Sequence, residues 1–130
     1  MSCSAWEPVS MGLDDADVER VVAAVAADVM ATLRWSERKA RRFVMREGCV
    51  EAYADQADDV LTLAYQVMGN VQESIQEDRV DTSWPECPVH RRHPLSFEYD
   101  LVWRCPAEDT HDPAGFFRGV PLGWLDAVWR

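Results

Sequence analysis

A chain of 130 residues is long enough to bury one hydrophobic core and too short for two independent ones. Hydrophobic residues make up 48% of it and charged residues 28%, a balance that excludes a largely disordered protein. The 23 acidic and 13 basic side chains leave a formal net charge of −10, which repels nucleic-acid phosphates and anionic membrane surfaces. We therefore expect a folded protein with little general affinity for either.

The first predicted element is an amphipathic helix that ends near Leu33. Asp14 is suited to cap its start, because a carboxylate there can accept the free N–H of Asp17. The opposite face of the helix is largely alanine, which allows a second element to pack closely. The apolar residues recur at steps of three and four, the period of one helical face: Val18, Val21, Val22, Val25, Val29 and Leu33.

A second, short helix is predicted in the segment RWSERKARRFVMREG, with Ser36 as its cap and Gly48 ending it in a left-handed conformation. One interpretation is a DNA-associated regulator that contacts phosphates through this helix. The other pairs the cations with acidic residues between positions 51 and 59, or leaves them in water, and the net charge favours it. The basic side chains concerned are Arg34, Arg38, Lys39, Arg41, Arg42 and Arg46.

A heptad stripe then runs from Val50 to Ile75. It predicts either the seam of a coiled-coil dimer or one long helix folded against the first in an antiparallel hairpin. Alanine at three of the eight stripe positions suits close packing within one chain and favours the second interpretation. The stripe consists of Val50, Ala54, Ala57, Leu61, Ala64, Met68, Val71 and Ile75.

The amino-acid composition changes between Asp81 and Ser83, and the segment that follows is rich in proline, cysteine, histidine and tryptophan. Alternation of large apolar with polar residues from Leu95 to Trp103 predicts a half-buried strand. A short helix is predicted after Pro121. The predicted fold is therefore mainly α: a helical hairpin or three-helix unit in residues 1–82, followed by a small zinc-ribbon-like β module with a short terminal helix in residues 83–130.

The segment WPECPVHRRHPL and the later WRCP hold the side chains that predict a metal site. Cys87 and His90 have a spacing that lets both reach one ion from a tight turn, and Cys105 follows the predicted strand. A structural zinc takes four ligands. The fourth is His93, which clusters with the first two, or His111, which lies beyond Cys105 as in an ordinary ribbon. The predicted cofactor is zinc, which would organise a segment too small for a core of its own.

The alternative to a metal site is structural. Cys87 and Cys105 would then be small buried hydrophobic residues, with His90 and His93 in a solvated loop beside two arginines. A catalytic zinc is not indicated, because it needs an open coordination position and a general base in a cleft. No glycine-rich phosphate loop, GxSxG or HExxH motif is present, so we expect a protein that is not an enzyme.

The last third of the chain resembles small uncharacterised proteins of high-GC Gram-positive bacteria and their phages, which share a WPxCPxHxxHPL…WxCP signature. The resemblance rests on the tryptophans, prolines, cysteines and histidines between Trp84 and Pro106, and on Leu95. It implies His93 as a ligand rather than His111, since the signature contains only the former. It implies no activity.

Aromatic residues near the carboxyl end predict a contact surface for a protein partner or a second copy of the chain. They are Phe116, Phe117, Trp124 and Trp129. The amino-terminal MSCSAWEPVS lacks the charged and apolar regions of a signal peptide, so we expect a cytoplasmic protein with reduced cysteines. Together these features predict a non-enzymatic protein-binding or assembly module stabilised by a structural zinc.

Overall fold

The computed structural model describes residues 13–78, 83–88, 93–106 and 120–125. Within them, four helices precede a three-stranded antiparallel sheet of order β1-β2-β3, which confirms a mainly helical chain with a small β module. None of the described helices combines the length and the apolar character that crossing a bilayer requires. The elements are α1 (Asp15–Leu33), α2 (Glu37–Glu47), α3 (Val50–Ala54), α4 (Val60–Asp78), β1 (Ser96–Phe97), β2 (Val102–Arg104) and β3 (Val120–Pro121).

The first two helices begin where their capping residues predict. The Asp14 carboxylate accepts the N–H of Asp17 at 2.8 Å, and the Ser36 hydroxyl accepts the N–H of Lys39 at 3.2 Å. Each bond satisfies an N–H that has no partner within its own helix. The starts of both helices are therefore set by side chains within three residues.

The end of α2 differs from the prediction. Gly48 has an ordinary right-handed conformation, and the left-handed residue is Cys49, with φ of 54°. Gly48 is needed for space instead: a Cβ there would lie 2.5 Å from the carbonyl oxygen of Val44 and 2.8 Å from Val67 Cγ1. The absence of a side chain thus lets α2 and α4 approach closely.

We expect Gly48→Ala to lower the free energy of unfolding by about 1–3 kcal/mol, because the added methyl group overpacks a backbone contact. Urea unfolding followed by circular dichroism measures this. Gly69→Ala is the matched control, since a Cβ at Gly69 meets nothing within 4 Å and the change favours the helix by about 0.5–1 kcal/mol. Equal stabilities for the two variants would contradict the close approach.

The predicted long helix is wrong between residues 55 and 59, where the chain leaves α3 and begins α4. The Asp59 carboxylate accepts the N–H of Thr62 at 2.7 Å and so favours a new helix start. One stripe residue departs from the predicted pattern at the start of α4: Leu61 is 55% exposed, whereas Leu63, which is not in the stripe, is fully buried. Beyond it the stripe from Ala64 to Ile75 is buried within the chain, where α4 packs against α1 and α2.

The predicted strand from Leu95 to Trp103 is also wrong, because the segment forms a hairpin. β1 and β2 pair with Phe97 opposite Trp103, and the turn between them has Leu101 at a φ of 61°. β3 pairs with β2 with Val120 opposite Trp103, so Pro121 lies in a strand and not at a helix start. Residues 122–125, where the predicted terminal helix would begin, form a turn after β3 and not an α-helix, and the remainder of the predicted helix falls at 126–130, outside the described residues.

Buried side chains from both predicted units belong to one hydrophobic core. The helices contribute valines such as Val25 and Val29, and the β module contributes Trp84, Trp103 and Leu125. The predicted unit boundary lies between Asp81 and Ser83, and residues 79–82 are outside the described part of the chain. The division into a helical unit and a zinc-ribbon-like C-terminal module stays a prediction.

Candidate metal centre

Two antiparallel segments and the end of β2 bring three of the predicted ligands together. The backbone N–H of Cys87 donates to the carbonyl oxygen of His93 at 2.9 Å, and the N–H of Leu95 donates to that of Pro85 at 2.8 Å. Glu86 and Pro94 form a single antiparallel bridge between these bonds. Cys87 and His93 are therefore neighbours on one small ladder, and Cys105 directly follows β2.

The ligand atoms of Cys87, His93 and Cys105 all lie within 4.8 Å of one another, a cluster that could hold a metal ion. The Sγ of Cys105 is 3.7 Å from the Nε2 of His93. The Cys87 side chain is fully buried and Cys105 is 4% exposed, whereas His93 is half-buried. Two sulfurs and one imidazole nitrogen converge at the edge of the core.

The imidazole of His93 is oriented by its own backbone neighbour. Its Nδ1 lies 3.2 Å from the carbonyl oxygen of Pro94. Since a carbonyl oxygen only accepts hydrogen bonds, Nδ1 carries the proton in this bond and Nε2 presents its lone pair towards Cys105. Metal-binding histidines commonly have this arrangement, with the second nitrogen bound to a backbone carbonyl.

The other two predicted ligands, His90 and His111, lie outside the described residues. The described part of the chain supplies three ligand atoms to the cluster. His90 as a further ligand, and His111 as the alternative to His93, stay predictions. Cys87 and Cys105 are not in disulfides. Cys49 is disulfide-bonded, so the expectation of reduced cysteines is wrong at this position.

Trp84 connects the cluster to the helices. Its indole Nε1 donates to the hydroxyl of Thr32 on α1 at 2.6 Å. Its carbonyl oxygen accepts from the side-chain amides of Gln72 at 3.3 Å and Gln76 at 2.8 Å, one turn apart on α4. Gln72 also donates to the carbonyl oxygen of Leu95 at 2.9 Å. The loop that bears Cys87 and His93 is thus held to two helices by side-chain hydrogen bonds.

Asp28 on α1 makes a second connection, which the sequence analysis missed. Its Oδ2 accepts from the indole Nε1 of Trp103 at 2.9 Å and from the N–H of Gly123 at 3.0 Å. Its Oδ1 accepts from the N–H of Leu125 at 3.0 Å. The carboxyl group is fully buried and binds β2 and the segment after β3 to α1.

Burial raises the pKa of Asp28 to about 6, because removal from water disfavours the charged carboxylate. The hydrogen bonds from Gly123, Trp103 and Leu125 oppose this effect and lower the pKa. The signal in the sequence was an ionisable residue three positions after Val25, on the apolar face of α1. A carboxylate on such a face needs buried donors.

The basic residues that predicted a DNA contact differ in their partners and in their exposure. Arg41 turns towards α1, where its guanidinium binds both carboxylate oxygens of Glu19 at 2.5 and 2.6 Å. Arg46 pairs with Glu47 at 2.8 Å. The ion pairs predicted with residues 51–59 are absent from the described part of the chain, where Arg38, Lys39 and Arg42 are exposed. Arg34 follows α1 with a left-handed backbone, φ 58°.

Of the predicted contact aromatics, the structure describes Trp124, which is 62% exposed. Phe116, Phe117 and Trp129 lie outside the described residues. No family model, curated protein or solved structure matches the chain.

Proposed function

We propose that the protein is a non-enzymatic protein-binding module in which one structural zinc ion holds the C-terminal segment on the helices. The observation that carries the proposal is the convergence of Cys87, His93 and Cys105 at the edge of the core. Sulfur and imidazole donors are the set that zinc prefers. His90 or His111 would complete the four ligands of a structural site.

Burial supports a structural ion over a catalytic one. A catalytic zinc keeps one position open to water and substrate, whereas both sulfurs of this cluster are nearly inaccessible. A zinc-ribbon-like arrangement is supported by the pairing of Cys87 with His93 through a backbone hydrogen bond and by the position of Cys105 directly after β2. The same residues carry the resemblance to small proteins of high-GC bacteria and their phages, and we propose membership of that group.

Trp124 supports a protein-binding role. The backbone on either side of it is fixed, because the N–H groups of Gly123 and Leu125 both donate to Asp28. Leu125 is buried, and Gly123 packs against Ala24 on the alanine-rich face of α1. A large aromatic ring is thus presented to solvent from a rigid backbone, which reduces the entropy lost on binding.

We expect Trp124→Ala to abolish capture of the protein partner while changing the free energy of unfolding by less than about 0.5 kcal/mol. Loss of a central aromatic contact costs about 2 kcal/mol or more in binding. The wild type and each variant are immobilised as baits, and the proteins that they capture from cells of the source organism are quantified by mass spectrometry. Thermal melting of each purified bait measures its stability.

Tyr99→Ala is the control, since Tyr99 is 78% exposed but lies in the hairpin turn. A protein retained by the wild type and by Tyr99→Ala, but lost with Trp124→Ala, supports the proposal. An identical set of captured proteins from all three baits contradicts it. A second copy of the chain as the partner would appear in light scattering as a dimer that Trp124→Ala disrupts.

A location in the cytoplasm and the alternative role as a DNA-associated regulator stay predictions. The engagement of Arg41 by Glu19 and of Arg46 by Glu47 reduces the charge available for duplex DNA. We therefore favour the protein-binding role.

A further inference from the structure

One exposed face of α2 concentrates positive charge in this acidic chain. Lys39, Arg42 and Arg46 follow Trp35 at intervals of four, seven and eleven residues, which places them on the same side of the helix. Together with Phe43 they line a cleft of about 170 Å³, here called the α2 cleft. No acidic side chain is among its lining residues.

The floor of the α2 cleft is a fixed pair of aromatic rings. Phe43 is buried, and its ring lies edge-on to Trp35, with centroids 5.2 Å apart and planes at 74°. The ammonium group of Lys39 lies 4.3 Å from the centroid of the Trp35 ring, where the ring face attracts a cation. Trp35 therefore holds Lys39 over the cleft and leaves the guanidinium groups at its rim.

The clustering of positive charge on this face of α2 lowers the stability of the folded chain. Cations three positions apart on a helix repel one another, as Lys39 and Arg42 do, whereas Arg46 is paired with Glu47. The fold neutralises the neighbouring Arg41 with Glu19, on the side of α2 that faces α1. Among the described residues, neither Lys39 nor Arg42 forms an ion pair. An anion from outside the described chain would offset this repulsion.

We propose that the α2 cleft binds a phosphate group. Guanidinium groups form paired, charge-assisted hydrogen bonds with phosphate oxygens, and Lys39 supplies a compact point charge beside them. The volume of the cleft suits one or two phosphates. The net charge of −10 disfavours a long duplex, so the phosphate belongs to a small molecule or to a short single strand.

The test measures binding of two probes, inorganic pyrophosphate and a ten-nucleotide oligo-dT, by isothermal titration calorimetry in low salt at constant ionic strength. We expect Arg42→Gln to weaken binding of the recognised probe by about tenfold or more, because it removes a charge-assisted contact. Lys39→Gln should act in the same direction. Arg20→Gln is the matched control: it removes the same charge from exposed α1 and should change affinity by less than about twofold.

Thermal melting without ligand separates binding from folding. Arg42→Gln should melt at or slightly above the wild-type temperature, since it relieves repulsion. Tighter binding of pyrophosphate identifies a small phosphorylated ligand, and tighter binding of oligo-dT identifies a single strand; both support the cleft. Binding of neither probe by the wild type, or equal weakening by Arg20→Gln and Arg42→Gln, overturns the proposal.

Discussion

Replacing Cys105 with serine is expected to remove bound zinc and to lower the free energy of unfolding by about 3 kcal/mol or more. A structural zinc contributes about 10–16 kcal/mol of binding free energy in small metal-dependent domains, and a serine hydroxyl is a poor substitute for a thiolate ligand. The same result is expected for Cys87→Ser, because both sulfurs belong to one cluster. Inductively coupled plasma mass spectrometry measures the metal, and denaturant unfolding measures the stability.

Non-additivity distinguishes a shared ion from two separate buried thiols. If one ion joins the sulfurs, the first substitution removes it, and adding the second to form Cys87→Ser/Cys105→Ser costs little more. Chelator-treated wild type should then resemble the single variants. About one zinc per wild-type chain is expected. Comparing the zinc content of His90→Ala with that of His111→Ala shows which histidine completes the site. Additive losses in a protein unaffected by chelator would rule out the metal centre.

Replacing Asp28 with asparagine is expected to lower the free energy of unfolding by about 1–3 kcal/mol at pH 7. The two carboxylate oxygens of Asp28 accept hydrogen bonds from three N–H groups. The asparagine amide has only one acceptor oxygen, and its NH₂ group would face at least one of these N–H groups. A buried N–H left without an acceptor has a cost of this size. The measurement is urea unfolding, with Asp58→Asn as the exposed control.

The pH dependence of this difference tests the environment of Asp28. Because burial raises its pKa from 3.8 to about 6, the folded protein holds the proton more tightly than the unfolded chain. The resulting stabilisation is fully present below pH 3.8 and is lost as the pH rises through 6. At about 1.4 kcal/mol per pKa unit, it amounts to about 3 kcal/mol.

The stability of the wild type relative to Asp28→Asn should therefore increase as the pH falls from 7 to 4. Taking the difference between the two proteins removes the titration of groups that they share, including the metal ligands. Asp58→Asn should show no such trend. A difference that is independent of pH would mean that Asp28 titrates as an ordinary surface aspartate.

Local interactions made parts of this structure predictable from sequence. The starts of α1 and α2 depend on Asp14 and Ser36, whose partners lie three residues away. The residues of the metal cluster were also recognisable, because Cys87 and His93 are close in sequence and zinc restricts the side chains that bind it. A protein partner for Trp124 and the fourth zinc ligand stay predictions.

By itself, the sequence determined the starts of α1 and α2, the mainly helical class and a Cys/His cluster, because each depends on short-range pattern or ligand chemistry. Only the tertiary structure decided that the predicted long helix breaks before α4, and that residues 95–104 turn back as a hairpin. It also decided the partners of Asp28, which lie 75, 95 and 97 residues away. No local pattern specifies such contacts, since they form only when α1, β2 and the segment after β3 exclude water from the same carboxyl group.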